Sequence, residues 1–231
     1  MTRSTAVIIG AGSGLSASLA RALAKRGHDI VLVARNTAKL ADLVVETGAR
    51  AMAADGSDPA SVAAIFADLP SPLHVAIYNP SARQRGPIAE LDPETVRRAI
   101  KVTAFGAFLM GQQAARAMLA NAGAVKGTIL FTGASAGVKG FANSAPFAMG
   151  KFAQRGLAQS MSRELCPKGI HVAWVNIDGG IANPDRAGRT DDGSDRMLSP
   201  DAIAQAYMGL IDQHRSAWSD ELTLRPWVET F

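Results

Sequence analysis

Residues 7–27 read VIIGAGSGLSASLARALAKRG: an apolar run ends at Gly10, a turn spans Gly10-Ala11-Gly12-Ser13-Gly14, and an alanine- and leucine-rich helical stretch follows. Glycines in such a turn let the backbone come close to a pyrophosphate. A helix starting near Gly14 aims unpaired N–H groups and the positive end of its dipole at the same point. The glycines alone would say little; the strand before them and the helix after them make the stretch a dinucleotide-binding signature. Gly10, Ser13, Gly14 and Leu15 are the expected pyrophosphate-side residues.

Outward from this unit, short β-branched runs alternate with alanine-rich stretches, the pattern of βαβ units and a parallel sheet. Strands are expected at Thr5–Gly10, Ile30–Ala34, Ala49–Ala53, His74–Tyr78, Gly127–Thr132, His171–Ile177 and Glu221–Leu224. Helices are expected at about 14–27, 37–46, 59–68, 93–120, 146–165 and 200–213. The fold class is α/β, a single-domain Rossmann-type doubly wound parallel sheet of about seven strands. Neither an internal repeat nor a composition shift divides residues 1–231 into two domains. The polar, glycine-rich segment 182–199 has no apolar period and reads as a mobile loop, either a substrate lid or a surface connection.

Apolar residues make up 48% of the 231-residue chain and charged residues 19%, which excludes a disordered class. The first residues run straight into a glycine-rich strand end, without the features of a secretory signal, and the stretch from Val102 to Ala115 is too short and polar to span a membrane. The lone Cys166 excludes an internal disulfide, so a cytoplasmic location is expected. The net charge of +4 comes from basic residues scattered in ones and twos, which argues against a nucleic-acid partner. His28, His74, His171 and His214 show no ligand spacing, and no metal is expected.

The second strand ends VLVARN, placing Arg35 where a carboxylate would bind the ribose 2′-hydroxyl of NAD. Arg35 suits a 2′-phosphate instead, so NADP(H) is the preferred cofactor over NAD(H). After the third strand, Asp55 in AADGSD is a candidate for the adenine amino group, while Asp58 reads equally well as a helix cap.

The glycine turn, Asp55, Asn79 in YNPSA and Lys151 fall in the order of the short-chain dehydrogenase/reductase superfamily, which residues 5–185 resemble. In that family the motif is TGxxxGxG; Gly10 and Gly14 match it, and Ser16 stands where the third glycine would be. The family's NNAG becomes Tyr78-Asn79-Pro80-Ser81, which keeps the asparagine that steadies the central sheet. The resemblance implies hydride transfer between a nicotinamide and a carbonyl–alcohol pair of a small molecule. In that chemistry Tyr is acid/base, Lys lowers its pKa and holds ribose, Ser orients substrate, and Asn organises a proton relay. It also implies a homodimer or homotetramer built on the long helices.

At the chemical end the pattern breaks. The family's YxxxK aligns with Phe147-Ala148-Met149-Gly150-Lys151, so Phe147 stands at the Tyr position and Lys151 is kept. SSxxG aligns with Gly133-Ala134-Ser135-Ala136-Gly137, leaving Ser135 one residue displaced. Thr103 replaces the Asn. Asp178-Gly179-Gly180-Ile181 replaces a Pro-Gly turn, near which the backbone at Ile181 and Asn183 would hold the nicotinamide carboxamide. The FTGA, FxxxK and IDGG stretches and the tail from Ser216 resemble one atypical branch of the superfamily. Each residue has a plainer reading: Phe147 as packing, Thr103 as a helix hydroxyl, Ser135 as a turn residue, Lys151 as a ribose ligand, Asp178 as a loop cap.

The expectation is an NADP(H)-dependent oxidoreductase with a modified active site, its proton supplied by Lys151, Ser135, Asp178 or water. The alternative is a non-catalytic NADP(H)-binding sensor or interaction protein.

Overall fold

The computed structural model describes residues 3–183, 185–190 and 192–229; Pro184 and Asp191, within the expected 182–199 loop, lie outside the described residues. Seven strands form one all-parallel sheet: β1 (Thr5–Ile9), β2 (Asp29–Ala34), β3 (Arg50–Ala53), β4 (Leu73–Tyr78), β5 (Gly127–Thr132), β6 (Ile170–Ile177) and β9 (Glu221–Leu224). Their order is β3-β2-β1-β4-β5-β6-β9. The chain reverses its direction of sheet growth between β1 and β4, and in doubly wound sheets the crevice at the carboxyl ends of such strands is where ligands bind.

Both faces of the sheet are covered, so the strands read as unbroken apolar runs. Along β1, Ala6 and Ile8 pack under α1 (Leu15–Lys25), α2 (Ala41–Thr47) and α7 (Pro200–Ile211). Val7 and Ile9 point the opposite way, with the side chains of α3 (Pro59–Ala67), α5 (Gly106–Leu119) and α6 (Ala145–Leu165). Asp58 caps α3 by accepting from Ser61 N at 2.7 Å, with Pro59 at the first helical position.

The single helix expected over 93–120 is interrupted. α4 (Pro93–Ile100) passes through a π-turn at Lys101–Phe105 into α5. Buried Tyr78 is the physical cause: its hydroxyl donates to Val102 O at 2.5 Å and occupies the space beside Gly106, where a Cβ would stand 2.1 Å from the phenol oxygen. Side-chain insertion into a helical ladder is a recognised origin of such bulges.

Within the segment expected as a loop, the described residues form only one short strand, β8 (Met197–Leu198). β7 (Gly180–Ile181) pairs with β8, and Asn183 N donates to Arg189 O at 2.8 Å, so the segment folds back as a tied excursion over the crevice.

Candidate active site

A cleft of about 880 Å³ runs along the carboxyl ends of the central strands. At one end β1 stops at Ile9 and Gly10 turns the chain at φ 86°. A side chain at Gly10 would be strained there and would put a Cβ 2.8 Å from Pro80. Gly10 N and Ala11 N both donate to Val33 O at 2.9 Å, which leaves the rest of the turn facing the cleft. α1 then begins after Gly14 with no side-chain cap, and Gly12, Ser13, Gly14 and Leu15 all line the cavity. An uncapped helix start opening on a cleft is a site for an anion.

Ser16 holds this turn to the neighbouring strand. Its hydroxyl donates to Gly10 O at 3.0 Å and accepts from Asn79 Nδ2 at 2.7 Å. Arg35 and Lys39 line the cleft beyond β2, and Asp55 beyond β3. The Asp55 carboxylate accepts from Ser57 N at 2.9 Å and from Ser57 Oγ at 2.8 Å. The backbone hydrogen bond, chiefly, holds its pKa below the ordinary value, with the Ser57 hydroxyl and the charges of Lys101 and Arg35 assisting. Asp58 is the helix cap, and Asp55 is a carboxylate that lines the cleft.

At the other end α6 delivers Phe147 and Lys151 from one helical face, four residues apart. Lys151 is only 2% exposed, and its Nζ donates to Thr132 O at 2.5 Å and to Gln154 Oε1 at 3.2 Å. Both partners are neutral acceptors, so no carboxylate offsets the charge. Burial first, and the nearby Arg83 second, bring its pKa down to about 7. Two of the three ammonium hydrogens are thereby assigned and the third remains for the cleft. Phe147 packs with Ala134 and Ala136. The Arg83 guanidinium lies 4.5 Å from the Phe147 ring centroid, within cation–π range.

Several expected residues lie elsewhere. Thr103 is fully buried, and its hydroxyl accepts from Ala82 N at 3.1 Å, supporting the stretch after β4 rather than lining the cleft. Ser135 starts a short 3₁₀ turn whose backbone carbonyl accepts from Val138 N and Lys139 N; it too is outside the lining. Asp178 does not line the cleft and pairs with Arg225 at 3.0 Å, with its N–H bonded to Leu224 O. Of the three side chains expected to supply a proton, Lys151 lines the cleft, and Ser135 and Asp178 do not. Ile181 and Asn183 do line it, and Asn183 Nδ2 approaches Gly14 so closely that a Cβ there would stand 2.9 Å away.

Sequence reasoning missed Lys39, Arg83, Arg186 and Arg189, all of which line the cleft. Scattered basic residues read as ordinary surface, and nothing in their spacing announced one cavity. It also missed Gln154, which carries Lys151 on Oε1 and donates from Nε2 to Thr103 O at 3.3 Å. The buried Tyr207 hydroxyl, 2.8 Å from Thr132 Oγ1, engages the hydroxyl group that flanks the lysine's carbonyl partner. Among the described residues no cluster of His, Cys, Asp and Glu could hold a metal, and no helix is long and apolar enough to cross a membrane.

Residues 4–190 match the family model described as short chain dehydrogenase. The cis-4-hydroxycyclohexanecarboxylate dehydrogenase of Sinomonas cyclohexanicum is 34% identical over 179 residues, covering 74% of this chain and 70% of that protein. The trans-4-hydroxycyclohexanecarboxylate dehydrogenase of the same organism is 30% identical over 220 residues, or 89% and 83% of the two chains. A solved short-chain dehydrogenase from Rhodopseudomonas palustris is 36% identical with a TM-score of 0.82, over 97% of this chain and 99% of that one. A metagenomic short-chain oxidoreductase solved in complex with NADP is 26% identical with a TM-score of 0.83, over 99% of each chain.

Proposed function

This chain belongs to the short chain dehydrogenase family, and on that footing we propose that it is an NADP(H)-dependent oxidoreductase of a small molecule, with its active site rebuilt around Phe147 and Lys151. The observation that carries the reading is the continuity of one cleft from the uncapped start of α1 to the buried lysine. The residues fit a phosphorylated dinucleotide. The backbone of Gly10, Ser13, Gly14 and Leu15 would take the pyrophosphate, Arg35 with Lys39 the 2′-phosphate, and Asp55 the adenine amino group. Asn79, Ile181, Asn183 and Lys151 would position the nicotinamide half. The NADP-bound relative supports this choice of cofactor.

When bound, the dinucleotide supplies the hydride acceptor or donor. The chain's own contribution is proton control. With a pKa near 7, Lys151 Nζ divides between ammonium and amine at neutral pH, the condition under which a general acid both holds and releases a proton. Gln154 and Thr132 O orient it. Phe147 and Ala134 offer no hydroxyl, so they shape and dry the cleft rather than exchange protons.

A second reading, a cofactor-binding protein without turnover, is favoured by the same two side chains and by the engagement of Thr132 Oγ1 with Tyr207. NADPH oxidation against ketones, imines and activated alkenes separates the two. Turnover with an inflection near pH 7 that disappears in Lys151→Met, at a cost of about 10²–10⁴-fold, supports the enzyme. NADPH binding with no turnover of any class supports the sensor.

A further inference from the structure

Arg83 occupies an unusual electrostatic position. Its guanidinium contacts the Phe147 ring, yet it takes part in none of the side-chain hydrogen bonds or ion pairs formed among the described residues. The cleft around it carries Arg186, Arg189 and Lys151, against Asp185 as the lining carboxylate of that end among the described residues. Solvent reaches Arg83 through the open mouth, but the walls still desolvate it, and Arg189, Arg85 and Arg186 repel its charge, so its pKa lies below the ordinary arginine value. Gathering cations in one cavity costs free energy that an anion entering the cavity would recover.

We propose that Arg83 is the anchor for an oxyanionic group of the substrate, a carboxylate or a phosphate, held at the mouth of the cleft beside Phe147. The proposal rests on the oxidoreductase reading and adds to it a substrate class. Three features support it. The planar guanidinium is the side chain best matched to two oxygens of one anion, and here its donors have no acceptor among the described residues. The Phe147 face holds the guanidinium in place, which reduces the ordering cost of binding. Finally, Ala134 and Phe147 are apolar, so a neutral polar substrate would find few partners at this end of the cavity. The phosphates of the dinucleotide have their own candidates in the glycine turn, Arg35 and Lys39.

The arrangement also orders the chemistry. An anion beside Arg83 cancels part of the field that depresses Lys151, so arrival of the substrate favours the protonated lysine. A ligand that lacks the charge would leave the lysine as it is.

Calorimetric titration of the full chain with benzoate, phenyl phosphate and the neutral isostere benzamide tests this, on cofactor-free protein and on protein loaded with NADP⁺. At least one anion is expected to bind roughly tenfold or more tightly than benzamide, and Arg83→Gln is expected to erase that margin. NADPH affinity should change less than about twofold in the same variant, since each tenfold step is 1.4 kcal/mol and no cofactor contact is removed. Equal binding of benzoate, phenyl phosphate and benzamide to the wild type would overturn the proposal without any variant. So would an Arg83→Gln protein that retains the anion preference, or the absence of saturable binding of either anion. A parallel loss of NADPH affinity in Arg83→Gln would give the arginine to the cofactor and also end the proposal. Failure of the wild type to bind NADPH removes the oxidoreductase reading instead, while the titration on cofactor-free protein still decides the anion site.

Discussion

Asn79 Nδ2 donates to Ser16 Oγ at 2.7 Å, and Ser16 Oγ donates in turn to Gly10 O, so one serine hydroxyl ties the end of β4 to the glycine turn after β1. The two sides of the crevice are thus set relative to each other by a side chain that is almost wholly buried, Ser16 being 2% exposed.

Ser16→Ala strands both partners, and removing one member of a buried hydrogen-bonded set costs about 1–3 kcal/mol. Urea unfolding should show that loss together with weaker NADPH binding. An unchanged midpoint would mean that the link does not hold the turn.

Arg35→Ala should abolish a preference for NADPH over NADH. The charge-assisted contact of a guanidinium to a 2′-phosphate is worth roughly 1.5–3 kcal/mol, about tenfold or more in affinity. Fluorescence titration of wild type and variant with both cofactors measures it, and equal affinities in the wild type would remove Arg35 from the site.

Lys151 makes stability depend on pH. Its pKa falls from an ordinary 10.5 to about 7 on folding, so between those values the unfolded chain binds a proton that the native protein does not. Stability contributed at this position therefore rises as pH increases from 7 toward 10, and below pH 7 the full cost of burying the charge is borne. Lys151→Met should flatten that rise, by an amount on the order of a few kcal/mol. Denaturant melts of cofactor-free protein at pH 7 and pH 9.5 give the comparison, and parallel curves for wild type and variant would refute it.

Wild-type protein should show little or no activity on ordinary ketones, and Phe147→Tyr combined with Ala134→Ser should raise carbonyl reductase activity to a measurable level. A tyrosine hydroxyl there would stand near Lys151 and Arg83, two cations that lower a phenol pKa, and general acid catalysis contributes about 10²–10⁴-fold. Steady-state assays on a simple ketone decide the matter; brisk wild-type turnover, undiminished in Lys151→Ala, would put the catalytic centre elsewhere.

Phe105, Phe108, Met149 and Phe152 are exposed on the helical face formed by the π-turn, α5 and α6, with the rings of Phe105 and Phe108 6.1 Å apart. Such a cluster on two long helices suits a two-fold partner of the same sequence. Light scattering should return a homodimer or homotetramer, and Phe105→Asp with Phe152→Asp should lower the mass. A 24.1 kDa particle for the wild type would contradict the expectation.

The sequence by itself determined the parallel α/β sheet, the glycine turn and the positions of Arg35, Asp55, Asn79 and Lys151 along the chain. These are local or periodic features: an apolar run buried on both faces, a turn that only glycine enters at positive φ, a helix start that follows a strand. The tertiary structure decided what those residues face. It carried Arg83, which leaves β4 on an irregular segment, onto the ring of Phe147 in α6. It buried Lys151 among neutral acceptors, it set Thr103 and Asp178 against a backbone N–H and an arginine, and it left Ser135 outside the cleft lining. It also set Tyr78 against Val102 O, which opened the helix into a π-turn. Such relationships depend on long-range packing between elements with no shared period, and the charge and protonation of the cleft follow from burial, which exists only once the sheet and helices have closed around it.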